Sequence, residues 1–573
     1  MTTVQEATDA AHAPLAGVPL TVTGDSTAAQ LAGRHLRLLG CVLTGADSDS
    51  GSGSSPSSAG RLVLGADAAG SPPVGCAIDW AGPVRLPLTG EADVQAACGI
   101  AQVHGRRYGA PTALGIDYAG AVAGVLTVQG LLAARLAAVR GAPVGSVRTS
   151  VAGAALLAVS QYLAAATAEE AERQAPGTAT AGEAEQSAPG EVKHPEPGTV
   201  QPGPCAPPLT SRDGVRFEVE ALEAGQWLAF WARLGADRRT IGAGWPAFQR
   251  RFSSASCLLP GELGSTAGEF DYQQLLGAAA DAGLAVVPVR PAAQGGYPVP
   301  PWRIARAGGR GPALAPAAGP DRPPLDGVVV VEMTRRLQGP LAGHLLALLG
   351  ARVVRIEPPG GDPLRGVEPM AGDCSARFHA LNRGKEVVEA DPRSPAGRRA
   401  LRELVGGADV FLHNLAPGKA ADFGLDAGQL LPTQPALVHA WASGWGELFG
   451  AAPPFGTDYV VQAHSGLAAL VTPPGRPASP SLMTITDVFG GLISAEAVLA
   501  ALLARATSGH GRRVDSSLWS AAVELLRTAT PDGAAGSTVP AAHPGELARD
   551  PRFATALYHD RCALPRSPWE FDR

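Results

Sequence analysis

Leu325–Gly350 reads LDGVVVVEMTRRLQGPLAGHLLALLG. The valine run Val328–Val331 is continuously apolar, as a strand buried on both faces requires. The polar Thr334–Arg336 ends it. A Leu- and Ala-rich stretch at helical spacing then runs to Gly350, which suits a helix C-cap. Strand, turn and helix in this order predict an α/β layer architecture.

The same pattern occurs earlier in the chain. Leu15–Gly40 (LAGVPLTVTGDSTAAQLAGRHLRLLG) aligns without a gap on Leu325–Gly350, and about ten positions are identical. Three more matches follow in the same order: Val94–Ala101 with Val461–Ala468, Ile116–Arg135 with Thr486–Arg505, and Pro301–Ile304 with Pro568–Phe571. An ordered series of matches is the signature of a repeated unit. The third match sets Asp117 opposite Asp487. The second copy carries a further strand, ARVVRIEPPGGD, and the stretch Leu381–Gly418. The first copy has a Ser/Gly-rich segment, Ser48–Ser58, in their place.

With 573 residues, 45% hydrophobic and 17% charged, the chain has material for several cores. A net charge of −6 argues against a nucleic-acid partner. Seven scattered cysteines form no CxxC pair and no His/Cys cluster, so neither a metal nor a disulfide framework is expected. The N-terminal stretch lacks an apolar core, and runs such as Val498–Ala504 are too short to span a bilayer. A cytoplasmic location without membrane contact is the expectation. The domain map is 1–168 (first copy), 169–214 (a Pro/Glu/Gly-rich linker expected to be disordered), 215–306 (a small α/β domain), 307–324 (a second linker), 325–530 (second copy) and 531–573 (a remnant returning to the core).

Several motifs of the second copy fall in a recognisable order. After Leu325–Asp362 come Asn382-Arg383-Gly384-Lys385, the turn Asn414-Leu415-Ala416-Pro417-Gly418, the loop Ser443-Gly444-Trp445-Gly446, the helix Asp458–Gly466, Asp487 ahead of a glycine-containing helix, and Ser508–Leu518. This series resembles the family III CoA-transferases of the CaiB/BaiF type, strongly over about residues 325–526 and weakly over 15–155. The resemblance implies two Rossmann-like domains with open parallel sheets plus a small α/β domain. Because the first copy keeps a small domain and the second keeps the motifs, it further implies an intramolecular pseudo-dimer with one working site. A homodimer of full chains is the alternative.

By local chemistry, Asp487 sits at a helix N-terminus, where free N–H groups favour negative charge, and a plain N-cap is one reading of it. The resemblance makes it the nucleophile that attacks an acyl-CoA thioester, passing through a mixed anhydride and an aspartyl-CoA thioester. It implies that Gly490 and Gly491 amides hold the oxyanion and that Gln338 lines the site. It further implies that Arg355, Arg383, Lys385, Asn414, Pro417, Gly418 and Lys419 bind coenzyme A, with no metal. The partners are then an acyl-CoA and a carboxylic acid. Two departures stand out. Ala416 replaces an arginine usual in the family, and Thr457 replaces the histidine of the racemase branch. An isomerase, dehydratase or racemase using Asp487 as base, and a non-catalytic scaffold, are the competing readings. Asp117 is expected to be structural.

Overall fold

The computed structural model describes residues 13–44, 57–174, 203–292, 297–319, 321–450, 453–529 and 536–572. Residues 48–56 of the Ser/Gly-rich segment and 175–202 of the longer expected linker lie outside them, whereas the second expected linker, 307–324, is described except at residue 320. At the edges of the longer one, the helix Ser160–Gln174 runs past residue 169, and Leu209–Thr210 is already a strand.

The fold is mixed α/β. A seven-stranded sheet has the spatial order Glu386–Glu389, Arg352–Glu357, Val329–Met333, Val410–His413, Val438–Ser443, His510–Ser517 and Trp302–Arg310. The first six are parallel. Apart from the exposed edge strand Glu386–Glu389, their Val/Ile/Leu-rich centres are buried between helices, as a parallel sheet demands. The helix Gln338–Leu348 follows the opening strand, as its sequence predicts.

The second sheet corrects the expectation of two parallel sheets. Its order is Val42–Leu43, Pro19–Thr23, Ser58–Leu64, Val74–Asp79, Ser146–Ser150 and Glu570–Asp572. Ser58–Leu64 runs antiparallel to both neighbours. The cause is connection length. A parallel neighbour needs a crossover of roughly a dozen residues or more, usually a helix, whereas residues 65–73 suffice only for a reversal. Val74–Asp79 and Ser146–Ser150 are separated by several helices and pair in parallel.

Each sheet is closed by a strand from the other part of the chain. Trp302–Arg310, which begins in the small domain and runs into the segment read as a second linker, lies antiparallel to His510–Ser517. Glu570–Asp572 lies antiparallel to Ser146–Ser150. The matched Pro-Trp pairs therefore seat their indoles in opposite sheets. Trp302 Nε1 donates to Glu496 Oε1 at 3.0 Å, and Trp569 Nε1 donates to the Leu126 carbonyl at 2.8 Å.

Two helices, Tyr118–Val139 and Ile485–Ser508, pack together at the centre. Both are long and apolar enough to cross a membrane by length and composition, contrary to the sequence expectation. Here 89% and 94% of their most apolar windows are buried inside the protein. The small domain is a three-stranded antiparallel sheet, Leu209–Thr210, Arg216–Glu220 and Ala285–Pro288, covered by the helices between Ala224 and Ala282. Trp227, Phe230, Trp231 and Phe248 form its core.

Candidate active site

Asp487 lies in the first turn of the helix Ile485–Ser508. Its carboxylate opens into a cavity of about 480 Å³. One wall comes from the turn after the first strand of the seven-stranded sheet (Arg335, Arg336) and from Phe378. The facing wall comes from the small domain: Glu220, Trp245, Arg251 and Phe252.

The helix terminus is already capped. Asp458 Oδ2 accepts the backbone N–H groups of Thr486 at 2.7 Å and Asp487 at 2.8 Å, and the Thr486 hydroxyl at 2.6 Å. Gln462 Nε2 donates to Asp458 Oδ1. The amides that would favour negative charge on Asp487 thus serve Asp458. Burial raises both carboxyls; the hydrogen bonds oppose it at Asp458, and the charge of Asp458 adds to it at Asp487. Asp458 is pushed up to about 6 despite its donors. Asp487 is raised well above the usual carboxylate range by desolvation and by facing Asp458, with Arg336 the opposing influence. No hydrogen bond reaches the Asp487 carboxylate among the described residues, so Asp487 is the member of the pair that holds its proton longer.

Two non-glycine residues at this cavity have left-handed backbones: Arg336 (φ 65°) and Thr484 (φ 56°), the latter the residue before the Asp487 helix. For a β-branched residue this conformation is strained by ~1–3 kcal/mol. Thr484 is held by burial and by Gln161 Nε2, which donates to its Oγ1 at 3.2 Å.

Other residues expected at the site fall elsewhere. Gly490 and Gly491 lie inside the helix, where their amides bond carbonyls four residues back, so they hold no oxyanion. They permit close packing instead. A Cβ at Gly491 would stand 2.7 Å from the Gln338 carbonyl oxygen, and one at Gly490 3.1 Å from Gln338 Nε2. Gln338 is buried, with Nε2 donating to the Ser443 carbonyl at 3.3 Å, and does not line the cavity.

Arg355 and Lys385 are committed to structure rather than to a phosphate. Arg355 pairs with Glu332, Glu357 and Asp362 at 2.9, 3.2 and 2.6 Å. Lys385 Nζ, fully buried, bonds Glu332 at 2.9 Å and the Pro340 carbonyl at 2.7 Å. Arg383 Nε donates to the Tyr558 hydroxyl at 2.7 Å, fixing the C-terminal hairpin. Lys419 is exposed and paired with Asp422. Asn414 holds the Arg335 backbone at both its N–H (2.9 Å) and carbonyl (2.8 Å), so it positions the cavity turn. Pro417 and Gly418 (φ 79°) shape the next turn outside the cavity.

Asp117 does not occupy the place of Asp487. Glu91 accepts the N–H groups of Ala119 at 2.7 Å and Gly120 at 2.8 Å, the second and third residues of their helix, just as Asp458 accepts those of Thr486 and Asp487. A Cβ at Gly124 would meet the Ala28 carbonyl at 2.9 Å, the counterpart of the Gly491–Gln338 contact. Both relations put Gly120 opposite Asp487, three residues from the alignment the sequence favours. Asp117 stands before its helix and accepts the Thr27 hydroxyl at 2.5 Å.

Asp458, Arg336, Thr484 and the Arg251–Glu220 pair (2.9 Å) were not assigned a role by sequence reasoning. Only Asp458 left a signal, its spacing of four residues from Gln462 on a helix.

The architecture is that of an α/β protein with a helix-borne carboxylate in a cleft under a small domain. Residues 325–559 match the family model described as CoA-transferase family III. The succinate–glutarate CoA-transferase of Agrobacterium fabrum is 37% identical over 205 residues, 34% of this chain and 51% of that protein. The acetyl-CoA:oxalate CoA-transferase of Acetobacter aceti is 35% identical over 208 residues, 36% of this chain and 54% of that protein. A solved CaiB/BaiF family protein from Brucella suis shares 30% identity over 43% of this chain and 74% of its own, at a TM-score of 0.35. Over residues 325–559 the chain is thus similar to CoA-transferase family III. It spans about half the length of the curated relatives it matches.

Proposed function

We propose that the chain moves coenzyme A between carboxylic acids through Asp487. The observation that carries this reading is the placement of the Asp487 carboxylate, free of hydrogen bonds among the described residues, in the wall of a roofed cavity. The Asp487 carboxylate attacks the thioester carbonyl. The carbon–sulfur bond breaks, giving an acyl-aspartyl anhydride and the CoA thiolate. The thiolate then attacks the aspartyl carbonyl and expels the first acid as its carboxylate. The incoming carboxylate attacks the aspartyl-CoA thioester, releasing thiolate again. Attack of that thiolate on the new acyl carbonyl forms the product and restores the Asp487 carboxylate. Removal of Asp487 from water makes it more reactive once ionised, and Arg336 favours that ionised form.

The two parts of the chain act as a duplicated, intramolecular pseudo-dimer holding one site. The exchanged edge strands and the small domain over Asp487 support this. Gly120 leaves the other half without a nucleophile.

The test is acyl exchange between an acyl-CoA and a labelled acid, with hydroxylamine trapping of an aspartyl-CoA thioester and titration of CoA sites. Exchange and trapping that vanish in Asp487→Asn, with one CoA per chain, support the reading. An active Asp487→Asn variant defeats it. The raised Asp487 also favours a second reading, proton abstraction from an acyl-CoA. Solvent deuterium uptake without acyl exchange selects that one.

A further inference from the structure

Most charge around the cavity is neutralised in place. Arg251 pairs with Glu220, Asp362 pairs with Arg355 at 2.6 Å, and Asp458 serves the helix amides. Arg335 and Arg336 are exposed at its edge.

Arg377 differs. It lies on the helix Ala376–Asn382 and lines the cavity. Its Nη1 makes one long bond, 3.4 Å, to the Gln161 carbonyl, and its Nε is buried without a partner. Its guanidinium lies 5.2 Å from the centre of the Tyr162 ring, and Arg106 lies 5.7 Å from the same ring. No carboxylate forms an ion pair with Arg377 among the described residues, and the field of Glu169 favours its charge. Burial first, and then Arg106, pull it down to about 10. A largely desolvated cation beside a second cation and without a counter-ion is costly. A cavity that retains one has a place for an anion.

The place shares its cavity with the Asp487 carboxylate. Gln161 accepts from Arg377 at its carbonyl, and its side chain donates to Thr484, the residue that begins the Asp487 helix. Phe252, Phe378 and Leu381 line the same cavity and suit a short methylene chain.

We propose that Arg377 binds the distal carboxylate of the transferred acid, so that the substrate is a short dicarboxylic acid whose other carboxylate reacts at Asp487. This rests on the CoA-transfer reading of the same cavity and adds the substrate class.

Succinate and butyrate have equal carbon number and differ in the distal carboxylate, so they are the probes. Wild type, Arg377→Met and Arg377→Lys are compared in the full chain, with thermal unfolding to confirm folding. A charged hydrogen-bonded pair is worth roughly a 10- to 100-fold effect. The succinate-to-butyrate ratio of kcat/KM falls by that factor in Arg377→Met and recovers in part in Arg377→Lys. An unchanged ratio overturns the proposal. So does weakened binding of free CoA with the ratio intact, because the anion would then be a CoA phosphate. If no acid supports CoA transfer, the CoA-transfer reading fails by itself. Calorimetry then decides Arg377 separately: succinate bound by wild type and lost in Arg377→Met keeps the anion site, and equal or absent binding removes it.

Discussion

Asp458 accepts the backbone N–H of Asp487 at 2.8 Å, so one carboxylate takes the helix-terminus amides and leaves the other facing it across a partly desolvated gap. This assigns opposite duties to two neighbouring acids. Asp458 fixes the helix, and Asp487 keeps its proton longer, the proton whose loss the proposed reaction requires.

That division predicts the acid limb of turnover. Asp458→Asn removes the charge that raises Asp487 while keeping an oxygen for the amides. The acid limb of kcat/KM moves to lower pH. Arg336→Gly removes the opposing cation, and the limb moves to higher pH. Two pH–rate profiles suffice, and shifts in the same direction would refute the pairing.

Arg336 is also a strained residue, so its replacement by glycine separates stability from activity. Relief of the left-handed backbone adds ~1 kcal/mol to unfolding free energy while turnover declines. Denaturant unfolding read beside initial rates measures both.

Asp487→Asn stabilises the fold increasingly as pH rises above the ordinary carboxyl range. A carboxyl raised in the folded state disfavours folding as pH climbs from its unfolded value through its folded one. The thermal midpoint of the variant exceeds that of wild type at pH 8 and matches it at pH 4.

His35 ties the first half of the chain to the second. Its Nδ1 lies 3.0 Å from Glu496, and its Nε2 lies 3.5 Å from Glu524. Burial opposes its charge, but the two carboxylates outweigh this and raise it to about 9. A raised histidine contributes stability that is complete below about pH 6.5 and lost as pH rises through about 9. The contribution is ~3 kcal/mol. Wild-type unfolding free energy declines across that window, and His35→Gln flattens the decline.

Trp302 anchors the exchanged strand. Trp302→Ala leaves a cavity and removes one of the donors to Glu496, at ~3–5 kcal/mol, whereas Trp302→Phe loses mainly the hydrogen bond. Denaturation curves of the two variants check the difference.

The sequence was most informative where chemistry is local. The valine run and the Leu/Ala stretch of Leu325–Gly350 are a strand and a helix because their apolar spacing permits little else. Asp487 stands at its helix terminus because the sequence beside it switches from polar to apolar. Motif residues such as Arg355 and Lys385 were visible as cations but not as buried partners of Glu332. That pairing joins separate strands and a turn, and no spacing along the chain encodes it.

By itself, then, the sequence determined the α/β class, the repeated order of motifs and the acid at the helix start, since periodicity and helix-end chemistry act within a few residues. Tertiary structure alone decided the reversed strand Ser58–Leu64, the crossing of Trp302–Arg310 and Glu570–Asp572 into opposite sheets, and the placement of Gly120 rather than Asp117 opposite Asp487. It also brought Asp458, Arg336 and Arg377 into one cavity with Asp487. These depend on connection length, backbone clearance of a few ångströms and desolvation between distant segments, quantities that exist only once the chain has packed.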